Sequence, residues 1–366
     1  MSQIITPVKL LDLSPAELIQ FVKSLGEPAS AADRLFRYVH LEAAASLDKM
    51  EDLSQSLRHK LNEGSILNIL QPVTETISAD SQTRKVLFGL EDGKTIESAL
   101  MLFRNTVTGR ERRTVCVSTQ VGCALGCPYC ATGQQGFERN LSPGEIIGQV
   151  LYFARRFGSQ ALGREAGRRR NWVTHVVFMG MGEPLANYDN VVKAVAILNS
   201  QKGMGLGFHQ VTVSTAGLAP QIGRLANEKL QFQLAVSLHA AADDLRNRLV
   251  PVNRKYPLNH LIPACREYAA ATGRKVFIEY ALFKGVNDSL YQADALLALL
   301  GGLDCSINLI AGNPTCADVY QPSSREQALA FQKRLIAGGI RAMLRASRGS
   351  DIEAGCGQLR SRWLTH

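Results

Sequence analysis

Residues 114–130 read TVCVSTQVGCALGCPYC, a β-branched run leading straight into cysteines at positions 123, 127 and 130. The spacing, CxxxCxxC, puts three thiols within eight residues on a loop that Gly122 and Gly126 free sterically. Three thiolates so placed can converge on one centre, and soft sulfur ligands select zinc, copper(I) or iron–sulfur. Structural zinc wants four closed ligands, usually in paired knuckles, and no second CxxC pair occurs in the chain. A disulfide pair belongs to an oxidising compartment. Three packed core thiols fit a glycine-rich loop poorly. A [4Fe–4S] cluster uses all three thiolates and leaves one iron open to an exogenous ligand. Such a loop needs a rigid frame behind it, and the flanking sequence supplies one.

The strand at about 114–120 is the first of a series. Apolar, β-branched runs recur at about 173–180, 210–216, 232–238, 275–282 and 305–311, with a seventh at 341–346. Helical patterns lie between most of them, the first opening on the capping box Ser142-Pro143-Gly144-Glu145. This alternation predicts an α/β core over residues 109–366, its parallel sheet open or curved into a partial barrel. Residues 1–72 read instead as a helical accessory domain. Ser14-Pro15-Ala16-Glu17 is a capping box with Pro at the first helical position, and Leu18, Ile19, Phe21 and Val22 follow it. Further amphipathic stretches lie around Leu35, Phe36 and Val39 and between Leu53 and Leu61. Residues 73–108 form a short β segment in which Val86–Phe88 and Leu100–Phe103 flank the turn Glu91-Asp92-Gly93-Lys94, predicting a hairpin.

Composition bounds the class. The 366 residues are 46% apolar and 20% charged, with no apolar run approaching a bilayer span. Lys9, Asp12 and Glu17 stand where a signal peptide would need an apolar core, which predicts a cytoplasmic protein. In a reducing compartment eight cysteines are ligands or catalysts rather than a disulfide framework. The net charge of +9 is unevenly spread: residues 1–110 hold 12 Lys and Arg against 14 Asp and Glu, so the excess lies in the larger C-terminal part. It is compatible with an anionic partner without naming one.

With Tyr129 just before the last cysteine, the motif resembles the signature of radical S-adenosylmethionine (SAM) enzymes. The longer stretch 116–146, CVSTQVGCALGCPYCATGQQGFERNLSPGEI, is similar to the RlmN/Cfr family of RNA adenine methyltransferases. Further matching blocks are MGMGEPL at 179–185, VTVSTAG at 211–217, AVSLHA at 235–240, LVPVNRKYPL at 249–258, INLI..NP at 307–314 and RGSDIEAGCGQL at 348–359. The resemblance implies a partial (β/α)6 radical SAM barrel, a [4Fe–4S] cluster on Cys123, Cys127 and Cys130, and S-adenosyl-L-methionine as cofactor. Gly182 and Glu183 are expected at its methionine end, with Ser214, Ser237, Leu238, His239 and Asn313 as further contacts. Singly these read as a turn, a cap, a core histidine and a turn asparagine. Together they fall at successive strand ends, where active sites of parallel α/β folds gather.

The resemblance also makes Cys356 the residue that carries the methyl group and Cys116 its resolving partner. Cys116 by itself reads equally as a packed strand thiol. Glu97 is the family's candidate proton acceptor, although a lone carboxylate near a strand ordinarily sits on a solvated face. Cys265, Cys305 and Cys316 match no motif. The implied activity is methylation of adenine C2 in 23S rRNA, and in tRNA next to the anticodon, through a methylated cysteine and a covalent RNA–protein intermediate. C2 is electron-poor and carries no acidic proton, so polar methyl transfer has no nucleophile to use.

An electron donor such as a flavodoxin or ferredoxin system is expected, with a monomeric enzyme and no membrane partner. Two alternatives stand: methylation at C8, as in the antibiotic-resistance branch, and a non-catalytic metal-containing RNA-binding protein. The run with Arg164, Arg168, Arg169 and Arg170 is a lead to RNA phosphates or a merely solvated loop. Ala311-Gly312 and Gly355 depart from the family pattern, which loosens expectations of pocket shape.

Overall fold

A computed structural model describes residues 7–104, 109, 111–161, 172–311, 320–345, 352 and 358–365. Asn313, Cys316, Gly355, Cys356 and the Arg164–Arg170 run lie outside the described residues. The main sheet has ten strands: β1 (Gln71–Ile77), β2 (Thr83–Gly89), β3 (Thr95–Arg104), β4 (Glu111–Cys116), β5 (His175–Phe178), β6 (Val211–Thr215), β7 (Gln233–Ser237), β8 (Val276–Leu282), β9 (Cys305–Ala311) and β10 (Ala342–Arg345). Each strand pairs with its neighbours in chain order, from β1 at one edge to β10 at the other. From β4 onward all pairings are parallel, and β1, β2 and β3 join antiparallel. Helices at Pro143–Ala161, Tyr188–Asn199, Ala219–Ala226, Leu258–Thr272, Leu290–Leu300 and Arg325–Ala337 fill the six crossovers.

A parallel strand covered on both faces needs an apolar run rather than alternation. Val176, Val177 and Phe178, Leu234, Ala235 and Val236, and Tyr280, Ala281 and Leu282, successive residues facing opposite sides, are accordingly all buried. In a flat sheet β4 and β10 would lie roughly 30 Å apart, six strand spacings. Here Phe178, Ser214, Ser237, Glu279, Ile310 and Arg345, one from each of β5–β10 or the edge of it, line a single cavity. The sheet is therefore curled into a partial barrel, one of the two forms the alternation allowed and the one the resemblance implied.

The hairpin closes as its turn sequence predicts, with Leu90 N–H donating to Lys94 O at 2.8 Å and Gly93 at φ +78°. One strand is shorter than its apolar run. β4 stops at Cys116 because the side-chain amide of buried Gln149 takes over the backbone of Ser118, accepting from its N–H (2.8 Å) and donating to its C=O (3.0 Å). The chain then forms a separate antiparallel pair, Gln120–Gly122 with Phe137–Asn140, which the sequence reading missed.

Three helices of the N-terminal part, Pro15–Ser24, Ala29–His40 and Gln55–Gly64, pack against the barrel as one continuous core. Part of their acidity is spent on that docking, through Glu17–Lys193 and Asp33–Lys202, each at 2.7 Å. Asp12 also reaches across to accept from Gly144 N–H (2.7 Å), adding to the Ser142–Glu145 capping box of the barrel's longest helix. Asp12→Ala should cost about 1 kcal/mol, the usual worth of a cap, read as a lowered Tm. An unchanged Tm would mean Ser142 suffices. Among the described residues no helix is long and apolar enough to cross a membrane.

Candidate active site

The cysteine loop is an excursion whose base is pinned by the small antiparallel pair, with Cys123 N–H donating to Gly136 O at 2.8 Å. Gly122 sits at φ +75°, and a Cβ there would meet Gly136 O at 1.8 Å, so the base of the loop admits no side chain. Its tip is held by packing. The Tyr129 ring meets His239 edge-on at 5.0 Å and lies 5.4 Å from Phe283, while Cys127 packs with Ala240, Ala281 and Phe283. The aromatic residue before the last cysteine thus clamps the loop onto the ends of β7 and β8.

Cys123, Cys127 and Cys130 line one open cavity of about 1070 Å³. Burial pushes the thiols of Cys123 and Cys127 up to about 12, and the nearby Cys130 and Glu183 add to it. Bound metal charge reverses that preference, because coordination takes the thiolate. Among the described residues no three His, Cys, Asp or Glu side chains meet around a single metal ion. A cubane spreads its thiolates over separate irons, which suits thiols that share a cavity without converging on one point. The donor set fits a [4Fe–4S] cluster.

Gly182, Glu183, Ser214, Ser237 and His239 line the same cavity. Gly182 has φ +95°, and a Cβ there would come within 2.5 Å of Gln120 Cβ. The carboxylate of Glu183 accepts from Leu185 N–H (3.0 Å) and Ala216 N–H (2.7 Å), yet burial still pushes it up to about 7. His239 occupies φ +61°, uncommon for a side-chain-bearing residue. Its Nδ1 accepts from Ala281 N–H at 2.9 Å, which leaves the ring proton on Nε2. Burial holds its pKa at about 3, so it stays neutral. Leu238 is not brought to the cavity: its side chain is in the core, and its N–H donates to Glu279 O at 3.0 Å.

A second cavity, of about 530 Å³, adjoins the first and shares Met179 and Gly180 with it. It is lined by Cys116, Glu97 and Lys85. Glu97 is not on a solvated face; it is 3% exposed and pairs with Lys85 Nζ at 2.7 Å. Burial pushes the Cys116 thiol up to about 11, opposed by the nearby charges of Lys85 and Arg345. The helix Gln358–Thr365, which follows Cys356 in the chain, docks here. Arg360 donates its backbone N–H to Glu97 Oε1 and its guanidinium to Gln135 and Glu138, each at 2.6 Å. Cys265 and Cys305 are buried in the main core.

Sequence reasoning missed the residue that ties the strand ends together. Arg246, fully buried, donates to Leu238 O (3.0 Å), Ala216 O (2.6 Å), Ser237 O (3.2 Å) and Asn253 Oδ1 (2.7 Å). Asn253 is itself held by donating to Asp243 and Asn247, both at 2.8 Å. One cation so fixes the turns after β6 and β7, where Ser214, Ser237 and His239 stand.

Comparison with known proteins identifies the fold and the family. Residues 117–297 match the radical SAM superfamily, and residues 8–67 match the ribosomal RNA large subunit methyltransferase N-terminal domain. The chain is 43% identical over 355 residues to a probable dual-specificity RNA methyltransferase RlmN of Moorella thermoacetica, covering 97% of this chain and 98% of that one. It is also 43% identical to the dual-specificity RNA methyltransferase RlmN of Syntrophobacter fumaroxidans, covering 96% and 98%. A crystal structure of a radical SAM methyltransferase from Sphaerobacter thermophilus superposes with a TM-score of 0.87 at 46% identity, over 96% of this chain and 99% of that one.

Proposed function

Because the chain belongs to the RlmN family of radical SAM RNA methyltransferases, we propose that it methylates adenine C2 in 23S rRNA and in tRNA next to the anticodon, with Cys356 carrying the methyl group. The observation that supports this most is the pair of adjoining cavities, three cluster thiols in one and Cys116 with Glu97 in the other, sharing the Met179–Gly180 wall. When bound, the cluster and SAM supply the reductive cleavage, the radical and the methyl carbon. The chain's own residues divide the remaining work. Cys123, Cys127 and Cys130 hold the cluster. Gly182 and Glu183 take the methionine end of SAM, Glu183 as acceptor for its amino group. Ser214, Ser237, Asn313 and the Nε2–H of His239 hold the rest of the cofactor, while Leu238, its N–H donating to Glu279 O and its C=O accepting from Arg246, serves the turn that presents its neighbours.

The methyl group on Cys356 gives up a hydrogen atom to the radical that bound SAM would supply; the methylene carbon so formed bonds to C2 of the adenine, and the adduct would return one electron to the cluster. Glu97 accepts the proton that C2 must lose. Lys85 Nζ, 2.7 Å from Glu97 Oε2, holds the carboxylate in place beside Cys116. Cys116 then attacks the Cys356 sulfur; the bond from that sulfur to the methylene carbon breaks, its electron pair and a proton end on the carbon, and the methylated RNA leaves a Cys116–Cys356 disulfide to be reduced before the next cycle. A flavodoxin- or ferredoxin-type donor would supply the electron for the cleavage of SAM.

The test is anaerobic reconstitution followed by nucleoside mass spectrometry of 23S rRNA and tRNA incubated with SAM and a reductant. About four irons and four sulfides per chain are expected, together with 2-methyladenosine in both RNAs. Appearance of 8-methyladenosine would overturn the C2 assignment. A protein that takes up no cluster and leaves SAM intact would be the non-catalytic RNA binder.

A further inference from the structure

Glu279, in the middle of β8, has no task in the scheme above. Its carboxylate is 4% exposed and lines the cavity of the cluster thiols. One oxygen, Oε1, accepts from Asn308 Nδ2 at 2.8 Å. The other, Oε2, is buried with no hydrogen-bond partner. Ser237 and Asn308 are its register partners on the neighbouring strands, so all three side chains stand on the same face of the sheet, toward the cavity. Burial pushes its pKa up, and the charge of Arg345 opposes that.

A buried carboxylate oxygen without a donor is costly, and native structures retain such a group where a ligand completes it. The ligand atom it faces must be a donor. A carboxylate accepts only, and it repels phosphate and carboxylate alike. An adenosine offers two kinds of neutral donor, the ribose hydroxyls and the 6-amino group.

We infer that Glu279 is a further adenosine-binding residue, whose Oε2 accepts a hydrogen bond from a hydroxyl or amino group of an adenosine bound in the cavity. The inference rests on the functional reading above, which brings two adenosines to this place, that of SAM and the target nucleotide. Asn308 holds the carboxylate in orientation from the neighbouring strand.

Glu279→Gln tests it. The glutamine satisfies Asn308 with its oxygen and turns its NH2 toward the ligand, donor against donor. Two measurements separate the sources: the dissociation constant of SAM for the reconstituted protein, and the KM for 23S rRNA at saturating SAM. The loss should be about tenfold to a hundredfold, in SAM affinity if the cofactor's adenosine is held, or in KM for RNA if the target's is. A variant within twofold of wild type in both overturns the inference, including one whose Tm alone has fallen, since Glu279 would then serve only the fold. Should the variant fail to fold, the wild-type protein answers from the ligand side. SAM analogues lacking the 2′-hydroxyl, the 3′-hydroxyl or the 6-amino group are compared, as are target RNAs whose target adenosine lacks the 2′-hydroxyl or the 6-amino group. At least one should lose tenfold, and equal binding of all of them overturns the inference. A wild-type protein that binds no SAM overturns the functional reading itself, a result separable from either.

Discussion

Cys116→Ala protein, incubated with SAM, a reductant and substrate RNA, should accumulate as a covalent protein–RNA adduct with less than one turnover per chain. Cys116 lines the smaller cavity with Glu97 and Lys85, across the Met179–Gly180 wall from the cluster cysteines. Its thiol is pushed up to about 11 by burial, and Lys85 and Arg345 pull against that. A nucleophile so placed is needed only after the carbon–carbon bond to RNA has formed, so removing it leaves every earlier step intact. Alanine keeps the strand and loses one sulfur. The same change at Cys265, buried in the core and far from both cavities in role, should leave methylation intact. A gel shift resistant to denaturant and sensitive to ribonuclease reads the adduct. Multiple turnover by Cys116→Ala would remove the resolving role.

Arg246→Met should destabilise the protein by about 3–5 kcal/mol, the usual cost of breaking a buried polar network from one side. Stability as a whole is typically only about 5–15 kcal/mol. The guanidinium serves three carbonyls and the side chain of Asn253 at once, and methionine leaves all four acceptors dry. Lysine should not rescue, because a point charge cannot reproduce a planar fork that spans the turns after two strands. Since those turns carry Ser237 and His239, SAM affinity should fall together with Tm. A variant that melts within a few degrees of wild type would show that the turns hold themselves.

The barrel was legible because its strands are buried on both faces. Runs such as residues 232–238 and 275–282 then stand out as largely apolar blocks, interrupted at Ser237 and Glu279, without homologous information. The small pair Gln120–Gly122 with Phe137–Asn140 was not, since FERN holds one apolar residue and is largely exposed. Arg246 lies in DDLRNRL, which reads as the solvated face of an amphipathic helix, and only the tertiary fold turns it inward. Glu97 misled for the opposite reason. Its strand is sandwiched between β2 and β4 in the antiparallel part of the sheet, and Lys85 from β2 supplies the charge that makes burial tolerable. Glu279 did leave a signal: a lone carboxylate inside VFIEYAL cannot sit on a solvated face, because the strand has none.

The strict correspondence between chain order and strand order has a consequence for how the molecule is made. During synthesis each strand emerges next to the one already docked, so the sheet can grow by addition at a single edge, without threading or rearrangement. The exception is the helix Gln358–Thr365, which returns across 263 positions of sequence to meet Glu97 on β3. The last strand of the cofactor cavity, carrying Arg345, precedes that helix in the chain, so the cavity is complete before the smaller one beside it receives its last contact.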